Sequence, residues 1–427
     1  MQNTSRYTIP KSLWWLVLLS LALQVAAIGA LRQYAPRTDD DHFGFGWEMG
    51  RIGRSIALGQ GFSSPYGGST GPTAWEPPLY PYLMGGVFKL FGIYSAASAW
   101  VLLTFNSLFT ALTCISIFFI ARQTIGERLA FWCAWIWALL PYEMYWSIHW
   151  LWDTTFGPFL LTCIFLIALE LQDWRGWRGW AAFGVLWGLA ALSNASLLSF
   201  LPFCGLWIWY RRHKNGLPSL PGVILASLLF FACLAPWMAR NYLAFGRMVP
   251  VRNDFGFQLH LGNGPAADGM LMAYLQPNLN VSEFEVFRSL GEVAYEKRCR
   301  RMAFEWIRDN PGRFAAISLK RFFYFWDGVP KPTNSTLPID FRNSLFLASS
   351  VLAIWGLALA IKSKVPGAGL FLCLLLSYPT VYYFIYPHAR YRHVIEPELL
   401  ILAVFVVSQA TKSSRGANVA PESRPAT

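Results

Sequence analysis

Charge is scarce in this sequence. Asp, Glu, Lys and Arg make up 14% of the 427 residues, 55% are hydrophobic and 17% aromatic, whereas soluble domains carry about a quarter charged residues. Such a chain cannot cover itself with a water-facing surface, so most of it must dissolve in lipid. Metal-binding cysteine patterns are also missing. The seven cysteines include no CxxC pair. Cys114, Cys133, Cys163, Cys204, Cys233 and Cys373 fall in apolar runs and only Cys299 in a polar segment, which excludes a disulfide framework. No internal repeat is visible.

What the chain has instead is a series of apolar runs near the ~20 residues that cross a bilayer core. They lie at about 13 to 31, 98 to 121, 129 to 148, 155 to 171, 219 to 238, 343 to 361, 366 to 386 and 393 to 410. The stretch from Trp177 to Tyr210 is too long for one tilted helix and reads as two spans broken near Ser193-Asn194. The expected fold class is an all-α polytopic membrane protein with about ten transmembrane helices. The first run has Arg6 and Lys11 before it, as a signal peptide would, but exceeds a normal signal core and is expected to be an anchor.

Lysine and arginine are absent from the connections at 143 to 154 and near Asn194, but cluster at Arg6 and Lys11, Arg122 and Arg128, Arg175 and Arg178, Arg211 to Lys214, Lys362 and Lys364, and Lys412 and Arg415. With ten spans these clusters share one face, which the positive-inside rule assigns to the cytoplasm together with both termini. The net charge of +12 is therefore largely topological, and nucleic acid is not an expected partner. The expected organisation is a membrane module over 1–238 with an acidic first outer loop at 32–97, an outer helical segment at 239–341, C-terminal spans at 342–411, and a disordered cytosolic tail from 412.

In the first outer loop, residues 43 to 59 have helical apolar spacing and predict a short interfacial helix, followed by a second from Leu79 to Phe91 started by Pro77-Pro78. In the second, Ser282 and Glu285 resemble a capping box for a mixed-charge helix from about 283 to 309, with Asn310-Pro311 opening another. Aromatic and basic residues alternate along that last helix, as at a membrane surface.

Five sets of residues on the outer face can carry chemistry. The carboxylates Asp39, Asp40, Asp41 and Glu48 form the first, a solvated loop being the plain alternative. Asp153 lies among tryptophans at the mouth of a span, where an unpaired carboxylate is costly; helix capping is its ordinary role. Glu76 is a third candidate, or a surface charge before a proline-started helix. Arg390, Tyr391, Arg392 and His393 break the charge rule and suit a lipid phosphate, with snorkelling as the alternative. The fifth set joins Arg240 and Asn241 with Lys320 and Arg321, which are otherwise plain membrane anchors. Carboxylates and phosphate-binding cations on one face point to group transfer from a lipid phosphate. The rival class, a transporter or lipid flippase, calls for ionisable groups near the midplane and paired broken spans.

The order of these features resembles the C-type membrane glycosyltransferases (GT-C), in particular the family 39-like bacterial group related to protein O-mannosyltransferases and lipid A aminoarabinose transferases. The likeness rests on the acidic first loop leading to Gly59-Gln60-Gly61-Phe62, on Pro77-Pro78-Leu79-Tyr80-Pro81, Asp153, Pro236-Trp237 with Arg240-Asn241-Tyr242, Leu261-Gly262-Asn263 and Arg390-Tyr391-Arg392. It implies a GT-C architecture and a polyprenyl-phosphate-linked sugar donor. It also implies an acidic residue of the first outer loop in the active site, here Asp40, Asp41 or Glu48 with Glu48 preferred, and Asp153 as the second acidic position. By that likeness the site faces the periplasm from a bacterial inner membrane. The acceptor, the sugar and any metal stay open, although grouped carboxylates suit a hard divalent ion.

Overall fold

The computed structural model describes residues 8–35, 45–330 and 339–417. Among them the chain is all-helical, and the one β-type pairing is an isolated bridge between Ser63 and Pro72. The helices are α1 (Lys11–Ala30), α2 (Glu48–Ala57), α3 (Leu79–Phe91), α4 (Ala96–Thr124), α5 (Glu127–Leu139), α6 (Pro141–His149), α7 (Phe156–Leu171), α8 (Trp177–Ser193), α9 (Leu201–Lys214), α10 (Leu220–Phe245) and α11 (Phe255–Gly262). They continue as α12 (Val281–Leu290), α13 (Glu292–Asp309), α14 (Pro311–Asp327), α15 (Ile339–Lys362), α16 (Ala368–Ser377), α17 (Thr380–Phe384), α18 (Ala389–His393) and α19 (Glu396–Ala417).

Five segments, at α1, α4, Asp153–Leu171, α10 and Arg342–Lys362, are each long and apolar enough to cross a membrane. Of the other expected spans, the one at 393 to 410 is the continuous α19, and the rest are shorter or interrupted. Pro141 breaks the run at 129 to 148 into α5 and α6, since a proline cannot donate to the preceding turn. The break near Asn194 is made by a 3₁₀ turn, Ala195–Ser199, whose start is capped by Asn194 accepting from Ser196 N at 3.2 Å. Pro379 opens α17 and divides the run at 366 to 386.

Lipid gives little hydrophobic drive between helices, so close packing carries the bundle. On α8, Gly184 and Gly188 lie so near α10 that a Cβ would fall 2.3 Å from Ala226 O and 2.5 Å from Cys233 Cβ. At the basic end, Arg212 spans Leu171 O and Trp174 O, both at 2.7 Å, and ties the α7–α8 connection to α9. Because spans alternate, the start of α4, the α6–α7 junction, the end of α10 and α18 gather at the opposite end.

Several expectations are corrected. The interfacial helix of the first loop is α2, but it is packed on most sides, with Glu48, Met49, Arg51, Ile52 and Ser55 all buried. The second interfacial helix is α3 as expected. Asn280, not Ser282, caps α12, accepting from Ser282 N and Glu283 N. Gly291, at φ 73°, divides the predicted long helix into α12 and α13. The span beginning near 219 runs on to Phe245, and α19 reaches Ala417, past the expected start of the tail. Residues 418–427, the rest of that tail, lie outside the described residues.

Gly46 joins the first outer loop to the mouth of the bundle. It has φ +71°, and a Cβ there would sit 2.2 Å from Leu151 O. Replacing it by valine should lower thermal stability in detergent by roughly 2 kcal/mol or more, through backbone strain and overlap. Gly86→Ala, where a Cβ meets nothing within 4 Å, should be neutral in the same melt.

Candidate functional site

Glu48 is the first residue of α2 and follows Trp47, whose φ of 51° is unusual for a non-glycine residue. This entry turn lies against Leu151 and Trp152 through Gly46. Glu48 is 8% exposed. Burial raises its pKa above the ordinary carboxylate range, against the opposing effects of its own backbone N–H, Arg51, Arg390 and Arg252.

Glu76 reaches the same place from the loop after α2. That loop is pinned from three sides. Glu292, at the start of α13, accepts from Ala74 N at 3.0 Å and from the Thr73 hydroxyl. Asn253 N donates to Ala74 O at 2.9 Å, and Arg252 Nε donates to Trp75 O at 3.0 Å. Arg252 then bridges Glu76 at 3.2 Å and Asp254 at 2.6 Å. Burial pushes Glu76 up to about 8, partly offset by Arg252 and reinforced by Glu48, Asp254 and Asp153. For Arg252, burial is outweighed by Asp254, Glu76 and Asp153, so its guanidinium is held charged more firmly than usual.

Asp153 begins a 3₁₀ turn, Asp153–Thr155, ahead of α7. Asn106 on α4 holds the preceding segment by donating to Trp150 O at 2.8 Å, and its own carbonyl accepts from Tyr80 OH at 3.2 Å. No side chain caps the start of α7, so the ordinary capping role expected for Asp153 is not the one seen. Its charge acts instead on Glu76, Arg252 and Arg390.

Arg390 completes the cluster from α18. Burial, with Arg390 and Arg342, pushes His388 down to about 3, so the ring is neutral and its Nδ1 accepts from Arg390 N at 3.2 Å. The Arg390 guanidinium lies over the Trp152 ring at 4.4 Å, and Nη2 reaches Tyr391 OH at 3.4 Å. Its Nε is buried with no hydrogen-bond partner among the described residues. Tyr391 is stacked on Tyr382 at 4.5 Å and 13°. Tyr386 OH donates to Gln258, whose amide donates to Asp254 at 2.9 Å, linking α18 to the Arg252 segment.

Four carboxylates, Glu48, Glu76, Asp153 and Asp254, thus surround Arg252 and Arg390. Of the residues anticipated from sequence, the structure brings Glu48, Glu76, Asp153, Arg390 and Tyr391 together. Asp40 and Asp41 lie outside the described residues. The others are spent elsewhere. Arg240 donates to Thr73 O at 2.6 Å and to Phe62 O, while Asn241 donates to Val249 O at 2.9 Å. Arg321 is fully buried on Gly262 O, Asn263 at 3.1 Å and Phe384 O at 3.0 Å, and its neighbour Lys320 is exposed. Arg392 pairs with Glu396 at 2.9 Å and donates to Phe346 O at 3.0 Å. His393 lies 2.6 Å from Glu143. Carbonyls and carboxylates of the chain occupy Arg240, Arg321 and Arg392, so these three are not placed to bind a ligand phosphate.

Sequence reasoning missed Arg252, Asp254 and Glu292. The only signal was a polar triplet, Arg252-Asn253-Asp254, in a stretch without helical spacing. Among the described residues no group of three His, Cys, Asp or Glu is placed to hold a metal ion.

Glu292→Ala should release Thr73 and Ala74, lower stability by about 2 kcal/mol and loosen Glu76, whereas Glu292→Gln should retain much of both because its carbonyl still accepts. Thermal unfolding of the purified variants measures this. In the same assay Arg321→Ala should cost about 3 kcal/mol or more through unpaired buried carbonyls, and Lys320→Ala should cost nothing measurable.

Residues 75–239 match the protein family described as dolichyl-phosphate-mannose-protein mannosyltransferase. No curated protein sequence matches significantly. Among solved structures, the chain is similar to the Archaeoglobus fulgidus oligosaccharyltransferase in complex with Zn and sulfate, at 13% identity and a TM-score of 0.52. That likeness covers 94% of this chain but 50% of the oligosaccharyltransferase, so the chain spans half of that protein's length. ArnT from Cupriavidus metallidurans bound to undecaprenyl phosphate is similar at 12% identity and a TM-score of 0.41, over 96% of this chain and 81% of that one. Its apo form gives 14% identity and 0.35, over 95% and 80%. The family match reaches from the Glu76 loop into α10, and the oligosaccharyltransferase likeness shows a shared all-helical fold over 94% of the chain.

Proposed function

We propose that the chain transfers a sugar from a polyprenyl-phosphate carrier to an acceptor at the outer face of a bacterial cytoplasmic membrane, with both termini in the cytoplasm. The observation that carries this reading is the convergence of Glu48, Asp153, Arg252 and Arg390 from four remote parts of the chain. The dolichyl-phosphate-mannose description of the matching family supports a polyprenyl-linked donor. The outward placement rests on the lysine and arginine clusters at the opposite end of the bundle.

Arg390 binds the donor phosphate, while Arg252, bridged to Glu76 and Asp254, balances the neighbouring acids. The Trp152 and Tyr391 rings both pack on the Arg390 guanidinium, and its Nε, without a partner among the described residues, is a donor available to a phosphate oxygen. The acceptor oxygen or nitrogen attacks the anomeric carbon, and the bond from that carbon to the phosphate oxygen breaks. The electron pair leaves with the polyprenyl phosphate, whose charge Arg390 stabilises. Glu48 takes the acceptor proton, and Asp153 orients the attacking group. Because phosphate departs as an anion, the leaving group needs no proton.

Burial raises Glu48, and only its ionised form can accept a proton. Activity should therefore rise with pH along a limb lying above the ordinary carboxylate value of about 4.3. In a labelled-sugar transfer assay on purified protein in lipid, Glu48→Gln should remove that limb and cost roughly 100-fold or more in kcat. Asp153→Asn should cost about as much, and Arg390→Ala should in addition raise the donor KM. Wild-type turnover in both Glu48→Gln and Asp153→Asn would sink the assignment.

A further inference from the structure

The break between α8 and α9 places polar groups within the bundle. Groups freed by such a break must find partners inside the protein, because lipid offers none. Here the Asn194 side-chain carbonyl accepts from Ser196 N at 3.2 Å and from the Ser196 hydroxyl, and that hydroxyl accepts in turn from Tyr382 OH at 2.7 Å. We infer that Tyr382, on α17, is a positioning residue for Arg390, and that the α8–α9 break serves to hold it. The inference rests on the phosphate-binding role given to Arg390 above.

A run of rings that ends on the guanidinium is the first argument. Tyr382 stacks on Phe325 of α14, with 5.8 Å between centroids and 15° between planes. It also stacks on Tyr391 of α18, at 4.5 Å and 13°. The Arg390 guanidinium lies 5.2 Å from the Tyr391 centroid and 4.4 Å from that of Trp152. Stacked rings attract beyond the area they bury, and a cation gains from a ring face. Arg390 therefore follows the placement of Tyr391, and Tyr391 follows that of Tyr382.

The second argument is the direction of the hydroxyl protons. A tyrosine or serine hydroxyl has one proton to donate. Tyr382 donates to Ser196, and Ser196 donates to the Asn194 carbonyl, an acceptor at which the sequence of bonds ends. Tyr378, fully buried four residues earlier, donates to Tyr391 O at 2.8 Å, and its oxygen lies 3.2 Å from that of Tyr382. Tyr391 is thus held by its ring through Tyr382 and by its backbone through Tyr378.

Burial supplies the third argument. Tyr382 is 3% exposed and Phe325 2%, so neither is placed to touch a lipid carrier. Their effect on a ligand passes through Tyr391 and Arg390. A guanidinium fixed before the carrier arrives loses less freedom on binding, which favours a phosphate over a neutral headgroup on the same chain.

The test is native mass spectrometry of the purified full chain in detergent, titrated with undecaprenyl phosphate and with undecaprenol, which has the same isoprenoid chain without the phosphate. Wild type should prefer the phosphate at least roughly ten-fold, and Arg390→Ala should remove that preference. Tyr382→Leu should reduce it about five-fold while leaving undecaprenol affinity unchanged, a split that general loosening of the fold would not produce. Added to Arg390→Ala, it should change the preference no further. An undiminished preference in Tyr382→Leu, an equal loss for both lipids, or a further change in the double variant overturns the inference. Should thermal melts show Tyr382→Leu to be unfolded, Ser196→Ala decides, since it removes the tie and leaves every ring in place. A loss of about three-fold is expected there, and no loss overturns the inference. Retention of the preference by Arg390→Ala would sink the phosphate role of Arg390 and this inference with it, whereas loss in Arg390→Ala beside an unaffected Tyr382→Leu strikes this inference alone.

Discussion

The mutual neutralisation of buried charges around Arg252 is the constraint on which the outer end of this protein depends. Isolated carboxylates and guanidinium groups are expensive where lipid and tryptophan replace water. Arg252 bridges Glu76 and Asp254 and feels Asp153 as well. Remove that centre and three acids from three segments repel one another in a place with little solvent. With it, acids are kept at unusual pKa values, the condition under which carboxylates are useful near neutral pH.

That centre is held by groups that never enter it. Glu292 fixes the Glu76 loop from an outer helix, and Asn106 fixes the Asp153 turn from inside the membrane. Arg321 and Arg392 clamp the segments before and after Arg390 by donating to backbone carbonyls. Helices that cross the bundle thus serve as rigid posts, while irregular loops carry the chemistry. The left-handed turn at Gly46 and Trp47 is the cost of bringing Glu48 back against Trp152.

The sequence made the membrane architecture readable because bilayer thickness leaves few choices of helix length. The ten apolar runs correspond to single helices or to pairs divided at Pro141 and Pro379, and the break at Asn194 follows from length alone. Helix ends in the outer segment were less readable. Asn280 and Ser282 are equally good caps on paper, and only the path of the chain from Tyr274 selected the first. Candidate acids were found because charge is rare here, so each one stands out.

What the residues by themselves determined is therefore a polytopic helical protein whose short-loop lysines and arginines cluster on one face, since transfer free energies act on each residue separately. Which cations face the acids was decided by the tertiary structure. Arg240, Arg321, Arg390 and Arg392 look alike along the chain, yet three are consumed by carbonyls and carboxylates, whereas the Arg390 Nε has neither a hydrogen bond nor an ion pair among the described residues. Arg252, which no motif marked, proved central for the same reason. Hydrogen-bond saturation depends on neighbours far apart in sequence, and no local pattern encodes it.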